Sequence, residues 1–186
     1  MLKWRPLLER IRETQTEILR LAPHRDVYLV PNPGASDVAI QAAEERIGQR
    51  LPPSFREFLR FADGWPRFYE GASLLGTANL GKRLYEDFAR AIFDAAETPV
   101  PDLGPPSRRA PRMIVPFGAD LQATTLFAFN PSVTYYGEEW EVIAWVNEIG
   151  VRRESFAGFL ELVHRQPAAE RVQLGGPELP GRDRYR

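Results

Sequence analysis

The sequence predicts a single α+β domain. Helix-period apolar stripes fill the first half, a run of strand-like segments follows residue 111, and one further helix-period segment closes the pattern. The length of 186 residues (21.2 kDa) suits one domain. With 44% apolar and 26% charged residues, the chain can build an ordinary hydrophobic core.

The first stripe runs from Pro6 to Leu21. Leu7, Leu8, Ile11, Ile18 and Leu21 lie near one face, and Glu9, Arg10, Arg12, Glu13 and Arg20 lie elsewhere. Mixed acids and bases on the polar side favour a packing helix over a membrane-surface helix. Val27 to Val30 reads as a short strand or an extended connection, ended by the run PNPG. A second helix starts after Ser36 or Asp37, either of which can cap it. It turns Ile40, Ala43 and Ile47 inward and stops at Gly48.

The stretch LPPSFREFLRFADGW, Leu51 to Trp65, encodes the third helix. Pro52 and Pro53 suit a first turn, where a missing N–H costs nothing. Phe55, Phe58, Leu59 and Ala62 fall at i, i+3, i+4 and i+7, and Gly64 supplies the stop. WPRFYEGASLLG is strand-like. A long helix is expected across residues 80–97, with Leu84, Phe88, Ala91, Ile92 and Ala95 inward. Residues 98–111 hold five prolines and are expected to form a mobile surface loop.

RMIVPFG, TTLFAF and EWEVIAWV follow as strands, with 130–139 as a hairpin loop. The last strand carries Trp140, Val142, Ala144 and Val146 on one face and Ile143 and Trp145 on the other, so it should be buried on both sides. ESFAGFLELVHRQ is the closing helix, and a poorly ordered tail is expected over 167–186, leaving a domain of residues 1–166.

Composition excludes several kinds of chemistry. The net charge of −1, from 24 basic and 25 acidic residues, argues against a polyanion-binding surface and so against nucleic acid as partner. There is no cysteine, hence no disulfide, thiolate metal site or cysteine nucleophile. No apolar run fits a signal peptide or a bilayer span, and a cytoplasmic protein without a membrane partner is expected. Arginine outnumbers lysine heavily, only Lys3 and Lys82 being lysine, a hint of a GC-rich bacterial source.

Candidate chemistry is sparse. His24 and His164 lack metal-ligand spacing, and neither a G-x-S-x-G elbow nor a phosphate-binding glycine loop is present. A hydrolytic reading would have to use His24, Asp26 and the acids of GEEWE, residues 137–141, which fit a solvated turn better. No catalytic residue, metal site or cofactor is expected. The aromatics Trp65, Phe68, Tyr69, Tyr135 and Tyr136 gather around predicted turns, where they either complete the core or present a binding surface.

Ile40, Glu44, Ile47, Gly48, Leu51, Pro52, Phe55, Phe58, Leu59 and Gly64 resemble the helix–LP–helix–glycine signature of the SUKH superfamily. That group contains the fungal cell-wall-synthesis regulators and many bacterial toxin-immunity proteins. VPFGAD with LFAFNP resembles its central strand pair, and SFAGFLELV its closing helix, so the resemblance spans roughly Ile40 to Val163. Asp63, Leu121 and Asn130 depart from the residues common at those places. The resemblance implies a mostly antiparallel central sheet with packed helices and no enzymatic activity. It also implies a protein partner, foremost the toxin domain of a polymorphic or contact-dependent toxin; the alternative is a housekeeping regulatory module. The expected partner-binding residues are Asp63, Trp65, Tyr69, Tyr135, Tyr136 and Glu138.

Overall fold

A computed structural model describes residues 4–95, 113–120, 122, 124–146 and 149–173. Side chains at 93–95, 149 and 166–173 are outside the description, as are the predicted loop 98–111 and residues 174–186 of the predicted tail.

Six strands form one antiparallel sheet in chain order: β1 (Trp65–Tyr69), β2 (Ala72–Leu74), β3 (Val115–Ala119), β4 (Thr125–Tyr135), β5 (Glu139–Val146) and β6 (Ile149–Arg153). Period-two alternation sorts the side chains of the central strands. Phe127 and Phe129 of β4 and Val142 and Ala144 of β5 point into the main core; Leu126, Ala128, Ile143 and Trp145 point the other way. The expectation that β5 is buried on both faces therefore holds, with Val146 at its end only half-buried.

The main core lies between the sheet and helices α1 (Trp4–Leu21), α2 (Asp37–Ile47), α3 (Pro53–Phe61) and α5 (Phe156–Gln173). Phe55 and Phe58 of α3 meet Phe156 of α5 at centroid separations of 4.8 and 4.9 Å, and Phe117 stacks near Phe129 at 4.3 Å. Such aromatic pairs add to what area burial alone provides. The opposite face is covered by α4 (Arg83–Ala95) through Ala89 and Ile92, with Phe88 partly buried beside them.

Local signals fix the helix ends. Ser36 accepts from the Ala39 N–H at 3.2 Å, and Gly48 closes α2 in the left-handed region at φ 76°.

Two expectations are corrected, on α4 and on the predicted hairpin loop, and two further features are observed. The inward stripe of α4 is Phe88, Ala89 and Ile92; Leu84 and Ala91 face solvent. Ala89 and Ile92, with Phe88 partly buried beside them, pack in one cluster with Leu126, Ala128, Ile143 and Trp145, a face rotated from the one periodicity selects. The predicted hairpin loop 130–139 is mostly strand, because a bulge between Asn130 and Thr134 absorbs Pro131 and pairing resumes to Tyr135. Strand β6, with Gly150 and the buried Arg152, carries no alternation by which to find it. The backbone of α5 continues through Pro167 to Gln173.

Candidate interaction surface

Helix α3 begins with no side-chain cap of its own, since its N-cap residue is Pro52. Its exposed donors are met from 85 residues away. Glu139, the first residue of β5, accepts from the Ser54 N–H at 2.8 Å and from the Ser54 hydroxyl at 2.7 Å. A carboxylate is also the charge that a helix N-terminus favours. The contact ties the β4–β5 hairpin to α3.

The tip of that hairpin is a short 3-10 turn, Tyr136–Glu138. Gly137 and Glu138 both lie at positive φ, 75° and 63°. Glycine adopts that region freely and glutamate does not. The turn carries Tyr136 wholly into solvent, while Tyr135 stays half-buried at the end of β4.

Glu138 also borders a groove of about 320 Å³, whose other lining residues are Arg50, Leu51, Pro53, Arg56, Glu57, Arg60 and Trp140. Most charges on this surface are committed. Arg56 pairs with Glu44 at 3.3 Å, Arg60 with Asp37 at 2.8 Å, and Glu57 accepts from the Trp4 indole N–H at 3.0 Å. Arg50 and Glu138 have no ion pair among the described residues.

The remaining expected residues lie elsewhere. Asp63 accepts from both the backbone N–H and the hydroxyl of Thr77, the latter at 2.9 Å, and so braces the segment leaving β2. Trp65 is completely buried and donates its indole N–H to the Tyr28 carbonyl at 2.6 Å; it is core, with no surface to offer a partner. Tyr69 is half-buried against Phe127. Burial pushes its phenol above the ordinary tyrosine range, the Glu70 carboxylate adds to the effect and Arg25 opposes it. Trp65 and Tyr69 stand on β1, with β2 and β3 between them and the hairpin strand β4. The structure thus brings Tyr135, Tyr136 and Glu138 together and leaves Asp63, Trp65 and Tyr69 apart from them.

The acids of GEEWE diverge in role. Glu138 is exposed, Glu139 caps α3, and Glu141 is buried, accepting from Arg152 and Asn130 at 2.8 Å each. A buried carboxylate so paired is a structural ion pair. Asp26 pairs with Arg67 at 3.1 Å, and His24 is exposed just past α1. Among the described residues, no group of three or more His, Cys, Asp or Glu could hold a metal ion. No described helix is long and apolar enough to cross a membrane.

Sequence reasoning missed Arg50, Arg56, Arg60 and Trp140 as groove residues and Glu139 as the cap. The arginines sit on the polar side of a well-formed amphipathic helix or just before it, where they read as solubilising charge. The cap pairs residues 85 apart and leaves no local signal.

Residues 34–163 match the SMI1 / KNR4 family (SUKH-1), about seventy per cent of the chain. A comparison with curated proteins finds no match.

Proposed function

The chain belongs to the SMI1 / KNR4 family (SUKH-1), and from that membership we propose that it is a protein-binding domain that neutralises a cognate toxin domain in the bacterial cytoplasm. The mechanism is coverage. A folded domain occupies the toxin's working surface and excludes its substrate, with no bond made or broken by the domain itself. The observation that carries this reading is the family match over residues 34–163, since an immunity role is among those the SUKH resemblance implies.

The hairpin surface supports it. Tyr136 is presented outside the core on a turn anchored at Glu139, and rigid aromatic side chains are favoured anchors because they lose little entropy on binding. Tyr135 and Glu138 flank it. Asp63 and Tyr69 would act apart from this surface, as supports of the β1–β2 region.

The test is affinity capture of the tagged full chain from its native cells, followed by coexpression. Retention of a large secreted protein through its C-terminal domain, and rescue of cells expressing that domain by this chain, establish neutralisation. Retention of cytoplasmic regulators or wall-synthesis enzymes, without rescue from any toxin domain, replaces the reading with that of a regulatory module.

A further inference from the structure

We infer that two copies of this chain associate about a two-fold axis, the hairpin tip of each entering the groove of the other, so that Glu138 of one copy pairs with Arg50 of the second. The inference needs no partner but the chain itself and does not rest on the neutralisation reading. The two meet only at the tip, which serves one contact at a time. Charge carries the argument. Five of the eight groove residues are charged. Arg56 and Arg60 are paired with Glu44 and Asp37, and Glu57 accepts from the Trp4 indole. What is left over is one cation, Arg50, and one anion, Glu138, both exposed and neither with an ion pair among the described residues. They are complementary, yet within one chain they do not pair. A patch with unspent charge of a single sign would repel its own copy. A patch with one charge of each sign is its own complement: under a two-fold axis each residue meets the other residue of the second copy, so both charges are satisfied at once.

Shape agrees with charge. Tyr136, Gly137 and Glu138 are all exposed, and a Cβ added at Gly137 would meet no atom within 4 Å beyond its chain neighbours, so the tip stands in open space. The groove at its side, about 320 Å³ and lined by Leu51, Pro53 and Trp140 between the charges, is the concave counterpart. A two-fold axis makes this tip-in-groove contact twice. Tip and groove also hold a fixed relation to each other. Glu139, the residue after the tip, accepts two hydrogen bonds from Ser54 of α3, the helix that supplies Pro53, Arg56 and Arg60 to the groove. Little ordering is then left for association to cost.

The experiment is sedimentation velocity of the full chain from about 1 to 500 µM, the range in which contacts smaller than a standard interface associate. The expected result is a concentration-dependent species of twice the 21.2 kDa chain. Arg50→Glu and Glu138→Lys each set like charges against each other twice per dimer, and each should weaken association by about tenfold or more. Mixing the two variants should restore it. In the mixed dimer Arg50 of one variant meets Glu138 of the other, and the introduced glutamate meets the introduced lysine. Recovery on mixing also shows that both variants are folded. Arg50→Gln and Glu138→Gln repeat the test at each site if a reversal unfolds the chain, each expected to weaken association by a smaller factor. A wild-type chain that stays monomeric throughout the range overturns the inference. So does a dimer that no variant weakens, which would place the interface elsewhere. Reversals that keep the wild-type circular-dichroism spectrum, weaken the dimer and do not recover on mixing overturn the pairing of Arg50 with Glu138. None of these outcomes bears on neutralisation, which affinity capture and coexpression decide separately.

Discussion

The Glu139 carboxylate holds both the backbone N–H and the hydroxyl of Ser54, at 2.8 and 2.7 Å, and so makes one unit of a helix start and a strand start that are 85 residues apart. A helix that begins on consecutive prolines cannot recruit a Ser, Thr or Asp at its own N-cap. It borrows the cap from the sheet. The hairpin tip gains its fixed position from the same contact, which links the stability of α3 to the presentation of Tyr136.

Glu139→Ala should therefore have two effects. Loss of the cap should cost about 1–2 kcal/mol, read by urea unfolding. Amide hydrogen exchange should rise at residues 136–138 by more than the change in global stability accounts for. A stability loss with unchanged local exchange would mean that the tip is fixed by the strands alone.

The core prediction concerns Phe58, which is fully buried between Phe55, Phe156 and Trp4. Phe58→Ala removes a ring from a cluster that cannot collapse around the gap, because its neighbours are held by two other helices. The expected cost is about 3–5 kcal/mol in chemical denaturation. A cost below about 1 kcal/mol would show that α3 is not packed as described.

Gly64 tests the turn between α3 and β1. It sits at φ 82°, and a Cβ there would lie 2.6 Å from the Gly76 N and 2.8 Å from the Leu74 carbonyl oxygen. Both neighbours are backbone atoms and cannot rotate away. Gly64→Ala should cost more than the roughly 1 kcal/mol typical of a left-handed glycine alone, because a clash adds to the torsional strain. Gly48→Ala is the control: its φ is 76° but nothing lies within 4 Å of the added Cβ, so it should lose only the torsional part.

The helices were legible from the sequence because their information is local. Phe55, Phe58 and Leu59 announce α3 by spacing alone, and Ser36 and Gly48 mark both ends of α2. The two-faced burial of β5 was also legible, from apolar residues at successive positions. What escaped depends on partners distant in the chain. Trp65 follows a turn and looks displayed, yet it closes the core under Tyr28, a contact that no pattern near residue 65 encodes. Strand β6 buries Arg152 through its ion pair with Glu141, a diagonal neighbour on β5, while Ile143 stands directly opposite. Of the candidate site, the tyrosine pair and Glu138 were visible as turn residues, while the groove required α3 and β5 to be brought together first.

The last prediction concerns Tyr69 at high pH. Burial raises its phenol pKa, with Glu70 contributing and Arg25 opposing, so the folded state favours the protonated form more than the unfolded chain does. For a group whose folded pKa is raised, the stabilisation is fully present below the unfolded value, about 10 for tyrosine. It is lost as pH rises through the folded value. Stability should hold through neutral pH and decline above about pH 10. Tyr69→Phe, which has no phenol to ionise, should flatten part of that decline. Absorbance at 295 nm, titrated in parallel, should lose a step above the ordinary tyrosine range in the variant. Loss of a step at the ordinary tyrosine value of about 10 instead would place the Tyr69 hydroxyl in water and contradict its packing against Phe127.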